Sequence, residues 1–160
     1  MSTTLHTITA VVHNEPGTMN RLTSLFRRRM FNIASINAGD CEQEGFSRVT
    51  LLVEGDDLVL RQCVRQLEKQ VDVVEVDDLQ QQESVQRELA LFEVVIEEGT
   101  RRAVLDIAQT LGCSIVHLEH HAVTLQVADE PTKIDHLASL LSPYGIRQLV
   151  RSGLVAIRVK

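Results

Sequence analysis

The sequence predicts an α+β fold made of two successive βαββαβ units, and three features of the chain support this prediction. Apolar residues alternate with polar residues in strand-like segments, and these segments are interleaved with apolar residues at helical spacing. The order strand, helix, strand, strand, helix, strand occurs before residue 80 and recurs after residue 88. Residues 80–88, between the two occurrences, are almost entirely polar and are expected to form a linker.

The first half of the chain has strand-like segments at residues 5–13, 31–38, 46–54 and 71–79. Asn14–Gly17 and Gly39–Gly45 are polar and predict a turn and a loop, and Gly55–Asp57 supplies a helix cap. The apolar stripes of the two helices are Met19, Leu22, Leu25 and Phe26, and then Leu60, Cys63, Val64, Leu67 and Val71. This order is the split βαβ or ferredoxin-like plan, in which both helices cover one face of an antiparallel sheet. The other face needs a cover, which we expect from a second domain or a second subunit.

The second half repeats the same order. Its strand-like segments are residues 89–96, 114–118, 123–127, 146–150 and 154–159. Its helical stripes are Ala103, Val104, Ile107, Ala108 and Leu111, and then Ile134, Leu137, Ala138 and Leu141. Gly112 suits a helix C-cap and Pro131 suits a first helical residue. The predicted organisation is therefore a domain at 1–79, a linker at 80–88 and a second ferredoxin-like domain at 89–160.

Composition narrows the function classes. A net charge of −6 argues against a nucleic-acid partner, because phosphate binding favours a basic face. No apolar run approaches the roughly 20 residues needed to span a bilayer, so no membrane partner is expected. The three cysteines are scattered, as is typical of reduced thiols in a cytosol. We therefore expect a cytoplasmic protein.

The segment His13–Met19 is the strongest candidate for a functional site. Pro16 and Gly17 turn the chain where a strand ends and a helix begins, and the N–H groups of Gly17, Thr18 and Met19 are expected to point out of the first helical turn. These donors suit a carboxylate, and Asn14 offers both an acceptor and donors, so an amino acid fits. A plain Pro-Gly turn with a capping Asn is the alternative. Because no nucleophile, general base or metal cage accompanies the turn, the sequence favours a sensor over a catalyst.

Three other interpretations concern a phosphate site, a histidine cluster and a run of arginines. A small phosphatase of the same fold is disfavoured, because Glu15 would repel phosphate and no Arg lies between Val12 and Asn20. His117, His120 and His121 are residues of a type that often binds metal, but they are better interpreted as solvated histidines. A metal-responsive module that uses them remains a third hypothesis. We predict no catalytic residue and no metal site. Arg27–Arg29 complement a helix dipole or contact a partner protein.

Several segments together resemble the regulatory small subunit of acetolactate synthase, also called acetohydroxyacid synthase. The Asn-Glu-Pro-Gly turn alone is common to many ACT domains, and the combination is far more specific. The matching segments are Asn14–Arg21, Leu25–Arg28, Phe31–Ser35, Ser47–Thr50, Val53–Asp56, Gln66–Lys69, Val71–Val73, Arg87–Leu91 and Arg151–Gly153.

The resemblance implies an N-terminal ACT domain at 1–79, a homodimer formed through the ACT domains, and a non-catalytic role. Such a subunit activates a separate catalytic subunit in branched-chain amino-acid biosynthesis and confers feedback inhibition by valine. The catalytic subunit is expected to hold thiamine diphosphate, Mg²⁺ and FAD, and this chain none of them. The implied effector-binding residues are Asn14, Pro16, Gly17, Thr18 and Met19, with Asn32 and Ile33 approaching from the facing domain. A free-standing ACT amino-acid sensor that docks on a transcriptional regulator is the alternative.

The chain departs from the family at Met30, where relatives usually have Gly, and a Pro common in relatives is missing from the loop Gly39–Gly45. Met disfavours the positive φ that Gly permits. We therefore expect altered turn geometry before Asn32, and with it weaker or altered effector sensitivity.

Overall fold

The computed structural model describes residues 4–79 and 84–159. By their contacts the residues divide into two compact units. One unit comprises Met1–Val85 together with Leu154–Lys160, and the other comprises Gln86–Gly153. Each unit is described by itself below.

The first unit is a βαββαβ domain with its helices packed against an antiparallel sheet. Its strands stand in the order β2-β3-β1-β4. The elements in chain order are β1 (Thr4–His13), α1 (Thr18–Arg28), β2 (Asn32–Asp40), β3 (Phe46–Gly55), α2 (Asp57–Glu68) and β4 (Val73–Asp78). The first helix follows from the apolar stripe that buries Leu22, Leu25 and Phe26, and the second begins where the Asp56 side chain accepts the Val59 N–H at 2.9 Å.

The core of the first unit lies between this sheet and its two helices. Strand β1 pairs with β3 along its whole length, from Thr4 opposite Gly55 to His13 opposite Phe46. The register places Ile8 opposite Leu51 and Ala10 opposite Val49, so β-branched and aliphatic side chains fill one face. The three cysteines are free, and burial raises the pKa of the Cys63 thiol in this core to about 12.

The second unit repeats the plan. Its sheet order is β6-β7-β5-β8, which is the order of the first sheet. Its elements are β5 (Ser84–Val95), α3 (Arg101–Thr110), β6 (Ser114–Leu118), β7 (Ala122–Asp129), α4 (Pro131–Leu141), a short 3-10 helix (Ser142–Tyr144) and β8 (Ile146–Arg151). Pro131 is the first helical residue of α4, and Gly112, with φ of 69°, follows α3. The predicted α+β fold with two ferredoxin-like units is confirmed.

The predicted linker at 80–88 differs from the structure. Residues 80–83 lie outside the described residues, and residues 84–88 already belong to β5. The polarity of these residues hid the strand from the sequence pattern. Glu88, for example, is a buried carboxylate that forms an ion pair with Arg151, with Oε2 2.7 Å from Nη2. A polar residue that is buried as part of an ion pair gives no apolar signal.

The C-terminal strand β9 (Val155–Arg158) pairs with β5, and by its contacts it is grouped with the first compact unit. The Leu154 N–H donates to the Ser35 hydroxyl at 3.3 Å, and Arg158 Nη2 donates to Asp77 Oδ1 at 2.6 Å. Ser35 and Asp77 lie on β2 and β4, the two edge strands of the first sheet. Residues 154–158 therefore reach from one edge to the other, a distance of about 14 Å for four strands.

Strand β1 is buried on both faces. Ile8 and Ala10 face the helices, and Thr7, Thr9 and Val11 on the alternate face are also buried. Leu154 is 2% exposed. The alternate face of β1 is therefore shielded from solvent within the single chain.

Candidate functional site

The turn between β1 and α1 borders a cavity of about 270 Å³. It lies at the end of the sheet where β1 finishes and β2 runs into its loop. Its lining residues are Val12, His13, Asn14, Glu15, Thr18, Met19, Ala38, Gly39, Asp40 and Ser47. Of the residues predicted to bind an effector, Asn14, Thr18 and Met19 meet in this cavity.

Backbone geometry at the turn suits an anion. Gly17 adopts φ of 88°, a left-handed conformation that favours glycine, and its carbonyl accepts the first helical hydrogen bond, from the Arg21 N–H at 2.9 Å. The Thr18 N–H, one of three predicted donors, is used within the turn, because it donates to the Glu15 carbonyl at 3.2 Å. The Met19 N–H lies in the first helical turn, where amides lack an intrahelical acceptor and the helix dipole favours negative charge.

Two carboxylates and an amide side chain also line the cavity. Asn14 is fixed by its N–H, which donates to the Gly45 carbonyl at 2.9 Å, and its side-chain amide lies 3.5 Å from Asp40 Oδ1. Glu15 and Asp40 both line the cavity. The site therefore offers a helix N-terminus to a carboxylate and carboxylate oxygens to an ammonium group, which are the two charged ends of an amino acid.

An ion pair that the sequence reasoning missed braces the turn. Arg21 donates through Nε and Nη2 to both carboxylate oxygens of Asp72, with Nη2 2.8 Å from Oδ1, and Nη2 lies 3.4 Å from the Thr18 hydroxyl. The Asp72 carbonyl accepts the His13 N–H at 2.9 Å. This pairing with Arg21 lowers the pKa of the Asp72 carboxyl. The sequence did contain a signal for the contact between Arg21 and the turn, because Arg21 follows Gly17 and Thr18 by about one helical turn and so lies on the same helix face.

Asn32 and Ile33 lie at the opposite end of β2 from the cavity. Asn32 is opposite Glu54 and donates its side-chain amide to that carboxylate, whereas Asp40 is opposite Ser47. Ile33 is half-buried and packs against the core of the first unit. The eight residue steps from Asn32 to Asp40 span roughly 26 Å, so one chain does not bring Asn32 and Ile33 to the Asn14–Met19 turn.

Met30 keeps the turn geometry that glycine would allow. Its φ is 58°, the one positive φ among the described residues that are not glycine. The Met30 N–H donates to the Arg27 carbonyl at 3.2 Å and the Phe31 N–H to the Phe26 carbonyl at 3.0 Å. This bond pair is the Schellman motif, which terminates a helix with a left-handed residue. The expected change of geometry before Asn32 is therefore wrong, and the cost appears as a strained residue instead.

The histidine cluster lies by a second cavity of about 540 Å³, lined by Glu97, Glu98, Arg101, His120 and His121. The rings of His120 and His121 are 4.4 Å apart, and His117 Nε2 instead contacts Glu119 Oε1 at 2.9 Å. Within residues 4–79 and 84–159, no group of three His, Cys, Asp or Glu side chains is arranged to hold a metal ion. In the same ranges, no helix is both long enough and apolar enough to cross a membrane.

Comparison with known proteins places both halves of the chain. Residues 8–75 match the family model described as the AHAS small subunit-like ACT domain, and residues 87–160 match the model described as the small subunit of acetolactate synthase. The two matches confirm the predicted ACT domain.

Whole-chain relatives agree with these matches. The acetolactate synthase small subunit of Bacillus subtilis (strain 168) is 42% identical over 93% of this chain and 87% of its own length. That of Mycolicibacterium smegmatis is 35% identical over 97% of this chain and 91% of its own length. A crystal structure of the acetolactate synthase small subunit from Thermotoga maritima superposes with a TM-score of 0.90 at 30% identity and covers 98% of both chains. The chain belongs to the family of acetolactate synthase small subunits.

Proposed function

We propose that this chain is the regulatory subunit of an acetolactate synthase in branched-chain amino-acid biosynthesis, that it activates the catalytic subunit in the cytoplasm, and that it confers feedback inhibition by valine. The observation that carries the valine proposal is the cavity at the Asn14–Met19 turn. It combines a helix N-terminus with the carboxylates of Glu15 and Asp40. The thiamine diphosphate, Mg²⁺ and FAD of the reaction then reside in the catalytic subunit.

Valine suits this cavity in charge and in polarity. Its carboxylate would accept from the first-turn amides, and its ammonium would donate to the carboxylates and to the Asn14 carbonyl oxygen. Apolar side chains of Val12, Met19 and Ala38 also line the cavity. An isopropyl group buried against them would contribute roughly 1.5–3 kcal/mol.

A homodimer would complete the site. Strand β2 is an edge of the first sheet, so its outer hydrogen-bonding groups can pair with a second copy. In a two-fold dimer paired along this edge, the two β2 strands would run antiparallel, and the pairing would bring the partner's Asn32 near Asp40 of the first chain. The effector site would then combine Asn14, Pro16, Gly17, Thr18 and Met19 of one subunit with Asn32 and Ile33 of the partner subunit.

Regulation would follow from differential binding. Valine held across the two subunits would favour one dimer arrangement over another and so change the contacts with the catalytic subunit. It can shift that equilibrium only by its difference in affinity for the two arrangements. The left-handed turn at Met30 would then hold Asn32 in position for this role.

Reconstitution tests the proposal. The chain is mixed with the purified catalytic subunit, and acetolactate formation is measured with and without valine. Addition of the chain should raise the rate, and valine should lower it again. No change on addition would overturn the regulatory assignment, and capture of a transcriptional regulator in its place would favour the free-standing sensor.

A matched pair of variants isolates the site. Asn14→Ala should keep the activation and lose most of the inhibition by valine. Gln109→Ala removes an exposed amide from α3 in the second unit and should behave like the wild type. Equal valine sensitivity of the two variants would exclude Asn14 from the effector site.

A further inference from the structure

Three consecutive arginines at the end of α1 have no counter-charge in the described part of the chain. Arg27, Arg28 and Arg29 are all exposed, and none of them takes part in an ion pair with a described residue. Several other arginines of the chain are matched to carboxylates, as Arg21 is to Asp72 and Arg151 is to Glu88. Arg61, Arg65 and Arg101 are also exposed and form no ion pair with a described residue. The run differs from them because it places three consecutive unpaired arginines at one helix end.

A cavity lies directly against these arginines. It has a volume of about 310 Å³ and is lined by Leu25, Arg28, Arg29, Gln66 and Gln70. Gln66 and Gln70 come from the end of α2 and the turn after it and are half-buried, and the Gln70 side-chain amide donates to the Gln66 carbonyl at 3.1 Å. The lining thus combines two guanidinium groups and two side-chain amides with apolar Leu25, an arrangement rich in donors that suits carboxylate oxygens.

Met30 adds an apolar contact beside the charges. Its side chain is 89% exposed, and its backbone holds a left-handed conformation that methionine adopts at a cost. Folding alone favours neither feature. Arginine and methionine are both enriched at protein interfaces, so an exposed Met next to three arginines is typical of a surface that another protein covers. Arg27–Met30 with Gln66 and Gln70 are called the basic patch below.

The charge distribution selects the partner. Residues 17–30 contain four arginines and no acidic residue, in a chain of net charge −6. A positive surface attracts an acidic one, so the patch favours a partner surface that is rich in carboxylates. The basic patch is also at the opposite end of α1 from the effector cavity. This helix has 11 residues, so the two sites are about 16 Å apart and do not compete for the same groups.

We propose that the basic patch docks an acidic surface of the acetolactate synthase catalytic subunit, with carboxylates in the cavity between Arg28, Arg29 and the two glutamines. This inference rests on the proposed function and adds the face through which the two subunits meet. It also places effector and partner at the two ends of one helix, so that any movement of α1 is transmitted to both.

Charge reversal tests the docking face. The dissociation constant between this chain and the purified catalytic subunit is measured by titration calorimetry at about 50 mM and about 300 mM salt. The double variant Arg28→Glu/Arg29→Glu should bind about tenfold more weakly at low salt, since two close charge pairs are replaced by repulsion, and its affinity should depend less on salt. Activation of acetolactate formation should fall with the affinity and recover at higher concentrations of the variant.

The control is Arg101→Glu/Arg102→Glu, which makes the same change of charge at two exposed consecutive arginines of α3 in the second unit. It should bind as the wild type does. Arg28→Gln/Arg29→Gln removes both charges without placing acidic residues at the C-terminal end of a helix. Its loss of affinity for the catalytic subunit should be intermediate. Thermal melts of every variant establish that it is folded.

The outcomes separate the two proposals. Failure of the wild type to bind the catalytic subunit overturns the proposed function. Binding by the wild type with an unchanged dissociation constant for both Arg28/Arg29 variants overturns the docking face alone. A changed self-association of these variants, with unchanged binding to the catalytic subunit, assigns the basic patch to a second copy of this chain and likewise overturns it.

Discussion

Arg151 at the end of β8 binds both carboxylate oxygens of Glu88 on β5, with Nε 3.0 Å from Oε1 and Nη2 2.7 Å from Oε2. Its third nitrogen donates to Asp135 Oδ1 at 2.6 Å. Next to this pair, the Leu89 N–H donates to the Ser152 hydroxyl at 3.0 Å, and the Ser152 N–H donates to the Leu89 carbonyl at 2.9 Å. Two of the motifs that carry the family resemblance, 63 residues apart in sequence, are thus neighbours in space.

Arg151→Met should destabilise the second unit by about 2 kcal/mol. Loss of one partner of a fully buried pair costs about 3–5 kcal/mol, and the value is smaller here because the arginine side chain is 31% exposed. Urea unfolding measures the change. Arg147→Met removes a more exposed partner of Glu93 and should cost less than about 1 kcal/mol. A double variant with Glu88→Met should recover part of the loss, and a strictly additive double variant would show that the two side chains do not interact.

Because of Asp72, the folding stability of the chain should fall at acidic pH. Its pKa is lowered in the folded state by Arg21, so its contribution is present above the usual aspartate pKa of about 3.9 and is lost as the pH falls through the lower folded value. The difference in melting temperature between the wild type and Asp72→Asn should therefore be full at pH 7 and shrink below about pH 4. A difference that stays constant down to pH 2 would contradict this origin.

Met30→Gly should stabilise the first unit by about 1 kcal/mol, because glycine adopts a positive φ without the penalty that methionine bears. Chemical denaturation detects the gain. Arg29→Gly is the matched control, since Arg29 has φ of −93°, where glycine only loses chain entropy. The control should be neutral or less stable than the wild type. A loss of stability in Met30→Gly would contradict this expectation. It would indicate that the methionine side chain contributes more to the free energy of unfolding than its exposure suggests.

Gly17→Ala should weaken the turn and, on the proposed function, valine binding. An alanine there is held at φ of 88° at a cost of about 1–2 kcal/mol, and its Cβ would lie 3.1 Å from Arg21 Nη1. Gly99→Ala changes the corresponding turn of the second unit, where a Cβ meets no atom of the described residues within 4 Å and φ is not positive. Calorimetric titration with valine should show a loss for the first variant only. Equal affinity of both variants for valine would show that the effector does not bind at this turn.

Leu154→Ala should destabilise the first unit by about 2–5 kcal/mol, the usual range for a leucine removed from a core. Leu154 is 2% exposed, and its N–H donates to the Ser35 hydroxyl on β2 of that unit. Hydrogen exchange should show the lost protection in β2, which lies more than 110 residues earlier in the chain than residue 154. Val155→Ala, at a half-exposed neighbour, should cost less than about 1 kcal/mol. Loss of protection confined to β8 would place Leu154 with the second unit.

The repeat was predictable because its signals are local. The alternation in β1 and the apolar stripe on α1 each specify an element, and the order of the elements specifies the sheet. The Asp56 cap and Pro131 mark helix starts by their own chemistry. The turn at Gly17 was predictable for the same reason, since a Pro-Gly pair before a helical stripe constrains the backbone on its own.

Long-range partnerships were not predictable in this way. No local feature of the sequence indicates that Arg21 pairs with Asp72, that Glu88 is buried against Arg151, or that Arg158 pairs with Asp77, because the partners in each pair are more than 50 positions apart. Met30 shows the converse case. Its intrinsic preference opposes a left-handed turn, and the Schellman bonds at the end of α1 override that preference.

Residues 154–158 have a consequence for how the chain acquires its structure. The two family models divide the sequence at a boundary near residue 80, yet residues that bond to β2 and β4 of the first sheet are synthesised after the whole second unit. A nascent chain therefore lacks the contacts of Leu154 with Ser35 and of Arg158 with Asp77 until translation is almost finished. A gene fragment cut at that boundary would lack them permanently. The two halves are separable as sequence families, but the first acquires its last contacts only after the second has been made.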